Sequence, residues 1–258
     1  MGVVIDNSAH VSVKAKLGEN VRIGPHCFVG PHVTLGDDCW LQSMVRVDGW
    51  ASLGRGCRLY HGAVLGSDPQ DLKFKGGPTR LRVGDNNTFR EYCTINRATS
   101  EGEETVLGDD NFIMAWAHIA HNCVVGDHTI LANSVNLAGH VQVQDYAIIG
   151  GVTPIHQFVR IGQHSIIGGG SRIPKDVAPF TKVAGNPPRV FGLNGIGLQR
   201  RGFSPEVRTE LKRVYRIFFR AGLRVEEALS RIREEVPPFP EVEDFCQFVE
   251  KSDRGITR

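Results

Sequence analysis

Large aliphatic residues recur at every sixth position through most of the chain. Steps of six from Ile5 to Ile173 visit 29 positions, and 26 of them hold a large apolar residue. The three exceptions are Asp71, Gly77 and Glu101. A period of six matches neither the 3.6-residue helical repeat nor simple strand alternation. It is typical of short parallel strands that stack as a solenoid.

A second position, four residues after each large one, holds small or β-branched side chains. Five of the six cysteines lie there, at Cys27, Cys39, Cys57, Cys93 and Cys123. Cysteine at such a position acts as a small buried hydrophobe, so we expect reduced thiols rather than a disulfide framework. Glycine often follows the large residue, as at Gly36, and we expect unusual backbone angles at that corner.

The pattern of large aliphatic residue, Gly, two variable positions, small residue and one variable position resembles the hexapeptide-repeat acyltransferases. That resemblance implies a triangular coil built from three hexapeptides. It also implies that the coils stack as a left-handed parallel β-helix. About ten coils at the strand spacing of ~4.8 Å give a prism roughly 45 Å long.

Two stretches break the repeat, at residues 66–82 and 100–105. Both are rich in charges and turn-forming residues, which predicts surface loops. Loops on a rigid scaffold often carry function, although a tolerated insertion has the same composition.

The repeat ends near residues 174–188, and helical patterns follow. A helix start is predicted at Ser204, a second helix over Val225–Ile232, and a third after Pro240. We therefore predict an all-β solenoid over residues 1–189 and a small α-helical domain over residues 190–258.

The composition is that of a globular protein, with 41% hydrophobic residues and a net charge of +2 in 258 residues. A nearly neutral chain has no strong field for nucleic acid or membrane. We see no membrane span and no signal-peptide core, and we expect a cytoplasmic protein. One local exception is the segment 200–224, which holds eight Lys and Arg but only two acids. This segment is either a solvated helix face or a dock for an acidic partner or phosphates.

Four of the ten histidines lie in one stretch, at His118, His121, His140 and His156. With three hexapeptides per coil, His121, Gly139 and Gln157 share a column, and His140 and His156 lie in the two adjoining columns. Three successive coils bring these residues within ~10 Å along the axis. Such a cluster could be a metal site, as in the trimeric carbonic anhydrases of this repeat type, a general base with supporting groups, or exposed surface.

Four segments resemble a narrower family, the UDP-N-acetylglucosamine O-acyltransferases of lipid A synthesis. They are AHIAHNC at 117–123, LAGHV at 137–141, IHQF at 155–158 and RRGF at 200–203. The resemblance covers the whole chain, including the loops and the helical tail. It implies transfer of an (R)-3-hydroxyacyl chain from acyl carrier protein to the glucosamine 3-hydroxyl of UDP-N-acetylglucosamine. It also implies a homotrimer with its site between subunits, no resident cofactor, since the acyl group arrives on phosphopantetheine, and no metal.

The resemblance also implies residue roles. His121 is expected to be the general base, and the N–H of Gly139 the oxyanion donor. The expected substrate contacts are Asp71, Lys73, His118, His140, His156, Gln157, Asn194, Arg200 and Arg201, with Arg200 facing phosphopantetheine. Gly169 matches a position that limits acyl length, and glycine there favours a longer chain, around hydroxymyristoyl. We expect the first loop and the histidine corner to come from different chains.

Three positions depart from the family pattern. Asn122 stands where the family often has Asp, Asn96 where it often has His, and Ile196 where an acid often contacts the nucleotide. These departures leave open an amide-forming transfer to a 3-amino UDP-sugar. Two remote alternatives are a zinc enzyme of the carbonic anhydrase type and a non-catalytic binding scaffold.

Overall fold

The chain winds through three parallel sheets in turn. The structure is a computed structural model that describes residues 2–258. Ile113 pairs with Leu131, and Leu131 pairs with Ile149, so each of these coils takes three hexapeptides. The architecture is the predicted left-handed parallel β-helix with a small helical domain at its end.

Each coil adds one strand to each sheet. Sheet I contains β1 Val4–Ile5, β4 Arg22–Ile23, β7 Trp40–Leu41, β10 Arg58–Leu59, β13 Thr88–Phe89, β16 Phe112–Ile113, β19 Ile130–Leu131, β22 Ile148–Ile149, β25 Ile166–Ile167, β26 Thr181–Gly185 and β27 Pro188–Leu193. Sheet II contains β2 His10–Val11, β5 Phe28–Val29, β8 Arg46–Val47, β11 Val64–Ser67, β14 Thr94–Asn96, β17 His118–Ile119, β20 Asn136–Leu137 and β23 Pro154–Ile155. Sheet III contains β3 Lys16–Leu17, β6 Thr34–Leu35, β9 Trp50–Leu53, β12 Arg80–Val83, β15 Glu104–Leu107, β18 Val124–Val125, β21 Gln142–Val143 and β24 Arg160–Ile161.

The core is a stack of the large and small residues of the repeat. The large residues from Val29 to Ile173 point inward and are buried. All six cysteines, which lie within the described residues, are buried free thiols, as expected. Burial raises the pKa of Cys93 and of Cys123 to about 12, so both are protonated hydrophobes at neutral pH.

The expectation of unusual backbone angles at the glycine after each large residue is wrong. The left-handed conformation falls two residues later, as at Asn20 and Asp38, which both have φ of 57°. Gly36 has another reason to be glycine: a Cβ there would lie 2.6 Å from the carbonyl carbon of Gly54 in the next coil. Close approach between coils, and not backbone freedom, therefore requires this glycine.

Two insertions leave the helix between sheet II and sheet III. Leu53 pairs with Val83, and Val83 pairs with Leu107. The segment between Leu53 and Val83 is longer than a regular coil by two hexapeptides, and the segment between Val83 and Leu107 is longer by one. The repeat therefore keeps its phase across both loops. The first loop is residues 68–79 and the second is residues 97–103. Both predicted ranges include strand residues, because side chains such as Leu81 alternate into the core.

A hairpin and helices close the carboxy-terminal end of the β-helix. Strand β27 pairs antiparallel with β26, and the predicted domain boundary between residues 189 and 190 falls inside it. Four helices follow within the described residues: α1 Gly195–Arg200, α2 Pro205–Arg220, α3 Val225–Glu235 and α4 Pro240–Glu250. The predicted starts of α2, α3 and α4 are confirmed, and Ser204 caps α2 by accepting from the Val207 N–H. Helix α1 was not predicted, because Gly195 and Gly197 are poor helix formers.

The helical domain has its own apolar core, to which α2, α3 and α4 contribute Phe218, Leu229 and Phe245. Phe180 of the β-helix end is buried in the same cluster and joins the two units. Within residues 2–258, no helix combines the length and the apolar character needed to cross a bilayer.

Candidate active site

The two inserted loops and His121 lie at the same edge of the prism. We name each edge by the sheets it joins: the I–II edge, the II–III edge and the III–I edge. Residues 120–123 turn the II–III edge, because β17 ends at Ile119 in sheet II and β18 begins at Val124 in sheet III. The first loop, 68–79, and the second loop, 97–103, also connect sheet II to sheet III.

His121 lies over the backbone of Gly139 in the next coil. A Cβ on Gly139 would lie 2.6 Å from both Cε1 and Nε2 of His121. The His140 ring meets the His121 ring edge-on with centroids 5.3 Å apart, and it stacks on Phe158 at 4.6 Å. The Gly139 N–H makes no hydrogen bond within residues 2–258, so it is available to a ligand. The structure thus has the columns that a coil of three hexapeptides predicted.

The hydrogen bonds around Asn122 fix the tautomer of His121. Oδ1 of Asn122 accepts a hydrogen bond from the backbone N–H of Thr99 at 3.1 Å, and Nδ2 of Asn122 donates to Oε2 of Glu103 at 2.7 Å. A backbone N–H only donates and a carboxylate only accepts, so the amide has one orientation. Nδ1 of His121, 2.9 Å from Oδ1, therefore carries the proton. Nε2 of the neutral ring is left with its lone pair free.

Asp71 places an anion beside that lone pair. Its carboxylate lies 3.7 Å from Nε2 of His121, too far for a hydrogen bond. The backbone N–H of Lys73 donates to Oδ1 at 2.9 Å and lowers the pKa of Asp71, and the charge of Lys73 lowers it further. Asp71 reaches His121 of its own chain, so the expectation that loop and corner come from different chains is wrong for this pair.

Two further imidazoles at the site are held in the neutral form. Burial is the main cause that lowers the pKa of His118 and of His140, and His121 adds to both shifts. Asp71 and Glu103 oppose the shift at His140. Nδ1 of His118 lies 2.7 Å from the Thr94 hydroxyl. Both rings can therefore form hydrogen bonds with a polar ligand without adding a positive charge to the site.

His156 and Gln157 extend the II–III edge by one coil. Both side chains are exposed, and Nδ1 of His156 donates to the Gln157 carbonyl at 3.1 Å. Within residues 2–258 of one chain, no three His, Cys, Asp or Glu side chains are arranged to hold a metal ion.

Four of the predicted site residues lie away from the II–III edge in a single chain. Asn194 lies at the III–I edge, where its Nδ2 donates to the His164 carbonyl at 2.9 Å. The Arg201 guanidinium covers Tyr146 at 4.1 Å, also at that edge. Arg200 ends helix α1 and is exposed, and Gly169 follows β25 at the I–II edge.

Two residues that sequence reasoning did not assign hold the first loop. Asn96, which is buried, donates from Nδ2 to the Ser67 hydroxyl and to the Asp68 carbonyl, both at 3.0 Å. Arg97 is also buried and pairs with the Asp68 carboxylate at 2.7 Å and the Gly77 carbonyl at 2.6 Å. The departure at Asn96 therefore anchors the loop that carries Asp71. Glu103 was missed as well, and its only signal was its place in a charged loop.

Comparisons with known proteins decide the family. Residues 104–139 match the model of bacterial transferase hexapeptide repeats, and residues 176–257 match that of UDP N-acetylglucosamine O-acyltransferase, domain 2. The acyl-[acyl-carrier-protein]–UDP-N-acetylglucosamine O-acyltransferase of Thermodesulfovibrio yellowstonii is 46% identical over 255 residues, which cover 98% of this chain and 99% of the relative. The chain belongs to the UDP-N-acetylglucosamine O-acyltransferase family.

Other family members show the same coverage. The enzyme of this name from Stutzerimonas stutzeri is 45% identical, with 99% of each chain covered. The crystal structure of the UDP-N-acetylglucosamine acyltransferase from Bacteroides fragilis matches with a TM-score of 0.96, 39% identity, and coverage of 99% of this chain and 100% of that one. The family inferred from the AHIAHNC, LAGHV, IHQF and RRGF segments is thereby confirmed, and the helical tail is part of the family fold.

Proposed function

We propose that this chain transfers an (R)-3-hydroxyacyl group from acyl carrier protein to the glucosamine 3-hydroxyl of UDP-N-acetylglucosamine, the first step of lipid A synthesis. The observation that carries the proposal is the state of His121. Its Nδ1 proton is fixed by Asn122, and its Nε2 lone pair faces the II–III edge between Asp71 and the free N–H of Gly139.

The reaction needs one base and one oxyanion donor. Nε2 of His121 removes the proton of the 3-hydroxyl as that oxygen attacks the thioester carbonyl. The new C–O bond forms, and the carbonyl oxygen becomes an oxyanion that the Gly139 N–H stabilises. The tetrahedral intermediate then collapses, the C–S bond breaks, and the imidazolium returns its proton to the departing thiolate. No covalent enzyme intermediate and no resident cofactor are involved.

The surrounding residues suit binding of the UDP-sugar. Asp71 is an anion 3.7 Å from Nε2, so it stabilises the imidazolium that forms during the reaction. It can also accept a hydrogen bond from a sugar hydroxyl. The neutral rings of His118 and His140 are assigned to the sugar. Lys73 is assigned to phosphate, and His156 and Gln157 are assigned to the nucleotide or sugar, as the family resemblance implies.

We assign Asn194, Arg200 and Arg201 to a neighbouring subunit's share of the site. They lie away from the II–III edge in one chain, so a homotrimer that sets one chain's III–I edge against the next chain's II–III edge would complete it. Arg200 then faces phosphopantetheine, and the basic side chains of α2 face acyl carrier protein. Six free buried thiols support a cytoplasmic location.

A product assay by mass spectrometry tests the function. UDP-N-acetylglucosamine and its 3-amino analogue are each offered with a panel of (R)-3-hydroxyacyl carrier proteins of different length. The expected product is the 3-O-ester, formed fastest with a long acyl chain, as the family resemblance at Gly169 implies, and equally well in EDTA. Absence of transfer from every donor contradicts the proposal. Faster reaction with the 3-amino sugar contradicts the assignment of a hydroxyl acceptor.

A further inference from the structure

We propose that Glu103 and Asn122 act as a positioning pair that keeps His121 in the base-competent tautomer. The inference rests on the proposed function and adds a residue to it. It begins from the departure at Asn122, where an amide stands next to the base and cannot itself carry charge. The second loop supplies a carboxylate to that amide, 2.7 Å from Nδ2.

The orientation of the Asn122 amide decides which nitrogen of His121 is free. With Oδ1 toward the ring, Nδ1 is protonated and Nε2 accepts protons. With the amide flipped, Nδ2 would donate to Nδ1, and the proton of the neutral ring would move to Nε2, which faces Asp71 and the substrate side. That tautomer cannot remove a proton from a hydroxyl. The Glu103 carboxylate opposes the flip because it would then face Oδ1 without any donor.

The second loop is built to hold this contact. Oε2 of Glu103 also accepts from the Ser100 N–H at 3.2 Å, which closes the turn 100–103. The Thr105 hydroxyl accepts from the Asn122 N–H at 2.8 Å. Asn122 has the left-handed conformation of the other turns, with φ of 59°, which Asn tolerates better than most residues. Loop, amide and imidazole thus form one chain of hydrogen bonds.

The charge of Glu103 contributes as well as its geometry. His121 becomes cationic during the reaction, and the anion behind Asn122 polarises the amide so that Oδ1 is a stronger acceptor for the Nδ1 proton. The other charged or titratable groups near Glu103 and His121 are Asp71 and Lys73 from the first loop, His118 on β17, and His140 in the next coil. None of them makes a hydrogen bond with the Asn122 amide.

A reversal of sign distinguishes a positioning pair from a merely structural loop contact. In Asn122→Asp the carboxylate bonds Nδ1 directly, but it then faces Glu103 across the former 2.7 Å contact, and two anions that close repel each other. Glu103→Gln should therefore harm the natural chain and help the Asn122→Asp chain. A loop that only stabilises the fold would respond in the same direction in both.

The experiment measures kcat and KM for the natural chain, Glu103→Gln, Asn122→Asp and the double variant. We expect kcat to fall about 3- to 10-fold in Glu103→Gln and about 10-fold in Asn122→Asp, at or below the low end of the roughly 10- to 100-fold that is lost when a group orienting a functional side chain is changed. The double variant should return to within about 3-fold of the natural chain, with KM for UDP-N-acetylglucosamine changing less than about twofold throughout. Glu101→Gln removes an exposed carboxylate from the same loop and should leave kcat unchanged.

Two outcomes separate failure of this inference from failure of the proposed function. In the first outcome, His121→Ala is inactive, and Glu103→Gln changes kcat by the same factor, or not at all, in the natural chain and in the Asn122→Asp chain. The positioning pair is then overturned and the proposed base stands. If His121→Ala keeps its activity, both fall. Circular dichroism of each variant checks that the β-helix is intact, and a Glu103→Gln chain that loses its fold also overturns the positioning role.

Discussion

The II–III and III–I edges carry the same kind of ring stack on the same backbone turn. At the first, His140 stacks on Phe158 at 4.6 Å, and at the second, Tyr146 stacks on His164 at 4.7 Å. His140 and Tyr146 are both left-handed, with φ of 62° and 60°. The repeat therefore builds similar columns of rings at different edges, and it does not decide by itself which of them becomes a site.

The difference lies in what covers each column. Charged loop residues reach over the II–III edge, where the Asp71 carboxylate lies 3.7 Å from Nε2 of His121. The tail covers the III–I edge, where Phe203 meets the His164 ring at 4.9 Å. Burial, with the charge of Arg201 adding, lowers the pKa of His164 to about 4. The environment of His121 or His164 is thus set mainly by the segment that covers it, and less by the coil in which it lies.

The largest expected effect comes from removing the proposed base. His121→Ala should lower kcat/KM at least about 100-fold, in the range that loss of a general base usually costs. His10→Ala is the matched control in the first coil, where that ring stacks on Phe28 at 5.4 Å, and it should stay within about threefold of the natural chain. Steady-state kinetics of both variants measure this difference, and equal losses of kcat/KM would contradict the role of His121 as the base.

Gly139→Ala should have the next largest effect. A methyl group there would lie 2.6 Å from two ring atoms of His121 and must push the base out of place. Since small misplacements of catalytic groups cost much rate, we expect kcat to fall about 10- to 100-fold while the β-helix stays folded. Kinetics with circular dichroism test this, and an unchanged kcat would mean that the base need not lie over Gly139.

The tail that covers the III–I edge gives a smaller prediction. Arg216 is an exposed residue of the basic helix α2, so Arg216→Glu should raise KM for acyl carrier protein about 3- to 10-fold, and less so at high salt. Arg22→Glu makes the same charge change in the second coil. Titration of the donor would contradict a docking role if both variants behave alike.

The last prediction concerns acid stability and not activity. His164 has a pKa of about 4 in the folded chain against an ordinary value near 6.5, so between these pH values the unfolded chain binds the proton first. Stability therefore falls as pH drops through this window, by up to about 1.4 kcal/mol per pH unit from this group. His164→Gln should flatten that dependence, as measured by urea unfolding at pH 7 and pH 5. An unchanged slope would mean that the ring is not kept neutral by the tail.

Regular parts of the molecule were readable from the sequence because each hexapeptide has one large and one small inward residue. That rule fixed the register, the stacking of His121 with Gly139 and His140, and the edge at which they meet. It says nothing about residues outside the period. Glu103 and the anchors of the first loop lie in insertions, where only long-range contacts give a residue its partner.

The glycine rule failed for a related reason. Local conformation suggested backbone freedom at Gly36, whereas its need for glycine comes from Gly54, a neighbour one full coil away. Likewise, Asp71 meets His121 from a distant part of the sequence, and no local pattern shows that both belong to one chain's edge. Both features depend on contacts between residues far apart in the sequence, and local sequence patterns do not show such contacts.

The two ends of the prism are finished differently. A hairpin and helices shield the carboxy-terminal end, but at the other end Val4 is 60% exposed and Ile5 is 42% exposed. In a solenoid each rung is supported only by its neighbours, so opening should start at this bare end and travel inward step by step. Amide protons should accordingly exchange in a gradient along the axis. Fraying of the first coils leaves His121, several coils deeper, undisturbed.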